Sequence, residues 1–244
     1  MDKVIVTDPP RAPLYQVDVL AEYGVATVHE ALGRAGFLGP TIRPASLNSR
    51  IGGTAVTALC WPGDNLMIHA AVEQCRPGDI LVVTTTSPCT DGLFGELFAT
   101  ALMERGVRGL VTTTGVRDIA DLHQLGFPVW STAVSAQGSV KATAGSVNTP
   151  IVVGGQPIHP GDAIVADTDG VVCVPRAQVN QALVASRART AKEKATRAAF
   201  RAGELGLDRY GLRATLDQLG VRYVTAQEYA EERVTAEGGT GTAP

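Results

Sequence analysis

Cysteine is scarce: four residues in 244, Cys60, Cys75, Cys89 and Cys173, are too few and too widely spaced for a disulfide framework or a structural zinc site. Reduced thiols in a cytosol fit better. No apolar run reaches membrane-spanning length, and the opening MDKVIVTDPPRAPLYQ lacks the apolar stretch of a signal peptide. The expectation is a cytoplasmic protein that neither crosses nor spans a membrane. Basic excess is missing too: the formal net charge is -3, which leaves nothing to displace counterions from a phosphate backbone. Nucleic acid is excluded as an expected partner. The histidines His29, His69, His123 and His159 form no HExxH pair, and no glycine loop ends in Gly-Lys-Ser/Thr. Lysine is limited to Lys3, Lys141, Lys192 and Lys194. The first lies in an end expected to be mobile and the last two in a basic helix, so a Schiff-base mechanism would rest on Lys141 alone.

What is present is the material of one large core, with 45% hydrophobic against 18% charged residues. Residues 1–14 are proline-rich and polar and are expected to be mobile; 15–175 should form an α/β core, 176–234 a helical extension, and 235–244 a disordered tail. Thr27-Val28-His29-Glu30 reads as a capping box that starts a helix over His29–Arg34. Three Pro-Gly-Asp turns at 62–64, 77–79 and 160–162 punctuate the chain, two of them before β-branched runs. Between them DILVVTTT, ELFATALMERG, LVTTTGVRD, IADLHQLG and PVWSTAV alternate strand and helix. In the first of these helices Leu97, Ala101 and Leu102 share a face expected to be apolar. Short strands should follow from Val129 to Val174. After Pro175 the chain is alanine-rich and basic, with Ala188, Ala191, Ala195 and Ala198 at helical spacing. Eight Lys or Arg between Arg187 and Arg213 face Glu193, Glu204 and Asp208, the composition of a solvated helix.

Two strand-to-helix loops carry the chemistry: Gly92-Leu93-Phe94-Gly95-Glu96 and Gly115-Val116-Arg117-Asp118. Such loops stand at the carboxyl ends of strands, where ligands bind in α/β sheets. The first should offer the amides of Glu96, Leu97 and Phe98 to a carboxylate at a helix start. The second sets a guanidinium, able to donate a fork of hydrogen bonds, beside a carboxylate able to hold a hard divalent cation. Each part alone is commonplace: Arg-Asp neighbours abound on surfaces, and Glu96 suits any helix N-terminus. Their combination points to oxyanion chemistry.

The segment GLFGELFATALMERGVRGLVTTTGVRD resembles the signature of the 4-hydroxy-4-methyl-2-oxoglutarate/4-carboxy-4-hydroxy-2-oxoadipate aldolases. The likeness runs through ATVHEALGR, GTAVTALCWPGDNLMIHAAVEQCRPGDILVV, GFPVWSTAVSAQGSVKATAGSVNTPIVVGG, PGDAIVADTDGVVCVP and GELGLDRYGLR, covering about residues 15–224. The same core resembles the regulators of ribonuclease activity A, which bind a protein and are generally shorter. The resemblance implies an αββα layered core with a C-terminal helical extension, a homotrimer or homohexamer with active sites shared between subunits, and a Mg²⁺ or Mn²⁺ cofactor. It also implies a small oxo-acid substrate from protocatechuate or gallate catabolism and retro-aldol release of pyruvate, with oxaloacetate decarboxylation as a side activity. Carried over by motif, Asp118 is the metal ligand, Arg117 contacts substrate oxygens, and Gly95, Leu97 and Phe98 line the substrate. Glu96, where relatives often carry aspartate, would hold a water of the metal's shell. A glutamate from a neighbouring subunit, matched here to Glu193 with Glu204 as the other choice, completes the set. The alternative is a non-catalytic regulator that binds a ribonuclease or another protein.

Overall fold

The computed structural model describes residues 3–45 and 49–238, the side chains of 235–238 excepted. Two compact units divide the chain, Met1–Ala191 and Lys192–Pro244. In the first, helices α1 (Leu14–Tyr23) and α2 (Val25–Ala31) precede strands β1 (Arg43–Pro44) and β2 (Ile51–Cys60). Then come α3 (Leu66–Gln74), β3 (Asp79–Thr85), β4 (Gly92–Phe94), α4 (Glu96–Glu104), β5 (Gly109–Thr112), β6 (Gly115–Val116), α5 (Ile119–Leu125), β7 (Val129–Ser131) and β8 (Ala133–Val134). A run of short strands follows: β9 (Ser146–Val147), the hairpin β10 (Ile151–Val153) and β11 (Gln156–Ile158), and the hairpin β12 (Ala163–Asp167) and β13 (Gly170–Val174).

The principal sheet runs β1-β7-β5-β3-β2-β12-β13, with β9 also on β2. Its middle, β7-β5-β3-β2, is parallel, and its outer strands are antiparallel. This is the mixed α/β architecture expected from the alternating pattern. Period-two alternation feeds the sheet's two faces. Leu81, Val83, Leu110 and Val129 enter a core with Ile68 and Ala71 of α3, Leu102 of α4 and Leu122 of α5. Ile80, Val82, Val111 and Trp130 enter another with Ile151, Val153 and Ile158 of the β10–β11 hairpin. A third core joins Val17, Leu20 and Val28 to Val165, Val172 and Val174.

All three Pro-Gly-Asp turns end in a buried carboxylate that ties its turn to a distant segment. Asp64 accepts from Leu66, Ala142 and Thr143 N–H, and Asp162 from His159 and Arg176 N–H. Asp79, fully buried, accepts from Arg11 Nε and Nη2 (both 2.9 Å), from Arg76 N–H (2.8 Å) and from the Thr54 hydroxyl. The turn residues therefore do more than reverse the chain.

Several local expectations are corrected. Thr27 and Glu30 form no capping box: α2 starts earlier, after Gly24 at φ 79, and Asp167 Oδ2 supplies the cap by accepting Val25 N–H (2.9 Å). An acceptor from the end of β12 thus replaces the local one. Leu97 is 78% exposed, and α4 buries Ala99 and Leu102 instead. Ahead of α1, Val6 N–H donates to Val147 O, Val147 N–H to Val4 O, and Ala12 N–H to Gly161 O.

The division between units falls within α6 (Val179–Arg201), where Val179, Ala182 and Ser186 are buried and the alanines 188, 191, 195 and 198 are exposed. The second unit continues with α7 (Gly206–Arg209), α8 (Leu212–Gln218) and α9 (Ala226–Gly238). There Phe200 and Tyr210 meet edge to face at 6.2 Å, and Arg209 Nε donates to the Thr196 hydroxyl. Residues 239–244 of the expected tail lie outside the described residues. Among the described residues no helix is long and apolar enough to cross a membrane.

Replacing Asp79 by alanine strands the largely buried Arg11 guanidinium and the Arg76 N–H, and removal of one partner of a buried pair costs roughly 3–5 kcal/mol. Asp79→Ala should lower the urea midpoint accordingly, while Asp8→Ala, at the exposed pair with Arg76, should shift it by less than about 1 kcal/mol equivalent. Equal midpoints for the two variants would refute the anchoring role.

Candidate active site

Strands β4 and β6 are too short to be legible as strands, yet they pair in parallel, Gly92 with Gly115 and Phe94 with Val116, and β8 extends them into a separate three-stranded sheet. This pairing sets the two predicted loops side by side. Arg117 N–H donates to Phe94 O (2.9 Å), which continues the ladder up to the chemical residues. Space is minimal: a Cβ on Gly115 would stand 2.1 Å from Thr90 O, and one on Gly95 would stand 2.3 Å from Asp118 Oδ2. Glycine is the residue that permits this approach.

Asp118 is the N-cap of α5 but caps nothing there; it sits in the left-handed region at φ 57, ψ 41. For a residue other than glycine that conformation costs about 1–2 kcal/mol. Its side chain reaches across to α4 instead, where Oδ2 accepts Glu96 N–H (3.2 Å), with Arg117 Nε 3.6 Å away. Arg117 and Asp118 remain accessible, at 44% and 39% side-chain exposure.

The expected trio of free amides is reduced by this. Glu96 N–H is engaged by Asp118, and Phe98 N–H donates to Gly95 O (3.2 Å), so Leu97 N–H is the donor left at the start of α4. Glu96 accepts the Thr100 hydroxyl one turn on, through Oε1 (2.8 Å).

A cavity of about 230 Å³ opens beside these loops, and Gly95, Leu97, Phe98, Arg117 and Asp118 line it. Glu96 stands next to them without lining it. The exposed Leu97 forms cavity wall rather than core. Glu193, in α6, and Glu204 belong to the second unit, whereas the cavity is lined wholly by the first. Glu204 Oε2 accepts Arg209 Nη1 (3.1 Å).

Asn65, His69 and Lys141 complete the polar lining. Of these the sequence singled out His69 and Lys141 one at a time, and Asn65 not at all. His69 packs on Phe98 with ring centroids 4.5 Å apart, and burial, with the Lys141 charge, pushes its imidazole below the ordinary value. Both effects favour the neutral ring. Asn65 donates through Nδ2 to Leu93 O (3.1 Å), and its Oδ1 is buried with no partner. An acceptor left in that state costs about 1–3 kcal/mol. Next to it, burial would raise the Asp64 carboxyl, but three backbone N–H donors outweigh burial and hold it below the usual carboxylate range. Being lowered, it contributes stability above its unfolded value, which is lost as pH falls through the folded one.

Among the described residues no group of three or more His, Cys, Asp or Glu side chains forms a metal cage. The donor set still fits a hard divalent cation of the magnesium kind, which keeps several waters and binds proteins through one or two carboxylates plus substrate oxygens. Asp118 provides one such carboxylate, and Gly95 leaves the space beside its Oδ2 clear.

A family model described as "RraA-like: Aldolase/RraA" matches residues 25–173. A protein of Halalkalibacterium halodurans that carries the provisional name 4-hydroxy-4-methyl-2-oxoglutarate aldolase is 33% identical over 168 residues, covering 69% of this chain and 80% of that protein. An uncharacterized protein from Pseudomonas syringae pv. tomato superposes with a TM-score of 0.71 at 23% identity, over 81% of this chain and 97% of that one, and so shares the fold. Streptomyces coelicolor RraAS2, described as an unusual member of the RNase ES inhibitor RraA protein family, superposes at 0.69 with 25% identity, over 77% of this chain and 99% of its own. Since the matched span contains every residue that lines the cavity, the chain belongs to the RraA-like family of aldolases and RraA proteins.

Proposed function

We propose that the protein is a cytoplasmic, divalent-metal-dependent aldolase. Its reaction would cleave 4-carboxy-4-hydroxy-2-oxoadipate to pyruvate and oxaloacetate, or 4-hydroxy-4-methyl-2-oxoglutarate to two pyruvates, within aromatic catabolism. The observation that carries the reading is the convergence of Arg117, Asp118 and the first turn of α4, with Gly95, Leu97 and Phe98, on one cavity. The provisional name of the Halalkalibacterium relative supports it.

Cleavage needs a base for the C4 hydroxyl proton and a sink for the electron pair released as C3–C4 breaks and the pyruvate enolate forms. Mg²⁺ or Mn²⁺ held by Asp118 would supply Lewis-acid stabilisation of that enolate. Arg117 donates to the enolate oxygen as its charge develops, its planar fork matching carboxylate and enolate oxygens together. Leu97 N–H holds the C1 carboxylate at the start of α4, where the helix dipole favours an anion, with Gly95 and Phe98 lining the cavity around it. Glu96 orients the water that takes the C4 proton. Oxaloacetate decarboxylation passes through the same enolate and fits the same groups.

A protein-binding regulator is the second reading, and the likeness to RraAS2 is what favours it. A cavity holding a guanidinium, a carboxylate and a helix amide is a feature that reading does not require. Assembly as a trimer or hexamer, with Glu193 of a neighbouring copy completing the site, belongs to the aldolase proposal.

Three measurements test it. Pyruvate release from 4-hydroxy-4-methyl-2-oxoglutarate should stop in excess EDTA and return with Mg²⁺ or Mn²⁺; persistence in EDTA with borohydride trapping at Lys141 would replace the mechanism by a Schiff base. Arg117→Lys keeps the charge but loses the fork, and kcat should fall about 10²-fold or more, as for loss of an oxyanion donor. Near wild-type kcat would remove Arg117 from the chemistry. Glu193→Ala and Asp118→Ala oligomers should each be nearly inactive and regain activity on subunit exchange, because some hybrid sites are intact. Verified hybrids without activity would mean that each chain builds its site alone.

A further inference from the structure

Cleavage chemistry at Arg117 and Asp118 occupies one end of the cavity, and the other end is apolar. Val72 of α3 and Leu97, Phe98 and Ala101 of α4 line it there. Leu97 and Ala101 stand four residues apart, on one face of their helix. Polarity falls along both helices: Asn65 and Gly95 are the caps, and Val72 and Ala101 come nearly two turns later, about 10 Å farther along the axes.

This wall is not explained by packing. Leu97 is largely exposed, and among the described residues neither it nor Ala101 belongs to any of the three cores. Phe98, between them in sequence, is fixed by the His69 ring at 4.5 Å and the Phe94 ring at 5.6 Å, which gives the wall a firm backing. Charge at the cavity is limited as well. Arg117 and Lys141 are its lining cations. Burial, with the Lys141 charge, favours the neutral ring of His69, so that side chain adds no third.

The two aldols that the cavity could cleave differ in one substituent on C4. It is a methyl group in 4-hydroxy-4-methyl-2-oxoglutarate, a dianion, and a carboxymethyl group in 4-carboxy-4-hydroxy-2-oxoadipate, a trianion. A methyl group gains by leaving water for an apolar wall, whereas a carboxylate set there is desolvated without a partner. Two lining cations match two carboxylates and leave a third unpaired. We infer that Val72, Leu97 and Ala101 seat the C4 substituent and select the methyl-bearing aldol over the carboxymethyl-bearing one. This rests on the aldolase reading and deepens it by choosing between the two substrates. The second product is then another pyruvate rather than oxaloacetate.

The test is a ratio of two rates on one protein. Wild-type kcat/KM for 4-hydroxy-4-methyl-2-oxoglutarate, read as substrate consumed with Mg²⁺ present, should exceed that for 4-carboxy-4-hydroxy-2-oxoadipate about 10-fold or more, the scale on which an apolar pocket discriminates. Leu97→Arg and Ala101→Lys each bring a cation to the wall. Each should lower the ratio about 10-fold or more, by favouring the trianion and disfavouring the methyl group. Loss of folded protein cancels in the ratio, and the exposure of Leu97 makes its variant the safer of the two for folding. A wild-type ratio near one or below it, or a ratio that neither variant moves, would overturn the selection and leave the aldolase intact. A wild-type protein that cleaves neither aldol would remove the aldolase reading and the selection with it.

Discussion

The close parallel approach of the Gly92–Phe94 and Gly115–Val116 segments is the constraint on which the candidate site depends. Two loops that are separate in sequence become neighbours only if no side chain stands between them. Gly115 lies against Thr90 O and Gly95 against the Asp118 carboxylate, at separations a Cβ would violate by more than half an ångström. Once the segments touch, the ladder continues to Arg117 N–H on Phe94 O, and the next side chain in line, Asp118, meets the first amide of α4. A strained left-handed backbone at Asp118 is tolerated because these bonds over-determine it.

A second device recurs around this one. A buried aspartate after Pro-Gly gathers donors from remote segments at three places, and at Asp64 the gathered segment is the one that carries Lys141. Burial of each carboxylate is tolerated because several hydrogen bonds satisfy its oxygens. The same bonds that hold the fold therefore hold the corner of the cavity.

The two N-caps that do not cap connect stability to function. Asp118 at α5 and Asn65 at α3 both forgo the local bond their residue type favours, and both residues line the cavity. Local preference yields where a site needs the group, which is the pattern expected of functional positions.

Alternation of strand and helix from Asp79 to Ser131 was legible in the sequence because period-two and helical patterns are local. The sequence also picked out the two loops that carry Gly95, Arg117 and Asp118, through neighbours in the chain that resemble a known family, and these three residues line one cavity. The capping of α2 was not legible, since its acceptor, Asp167, comes from a strand more than a hundred residues away. Nor was the exposure of Leu97, because the apolar face of α4 is decided by which side meets the sheet rather than by spacing alone. Asn65 went unnoticed for the same reason: nothing in WPGDNLMIH tells an asparagine that caps its helix from one that abandons the cap. Only the tertiary structure, by placing Leu93 against its amide and leaving Oδ1 without a donor, distinguishes the two. Sequence determined which residue types and local elements were available, and long-range hydrogen bonding and close backbone contact decided which of them face one another.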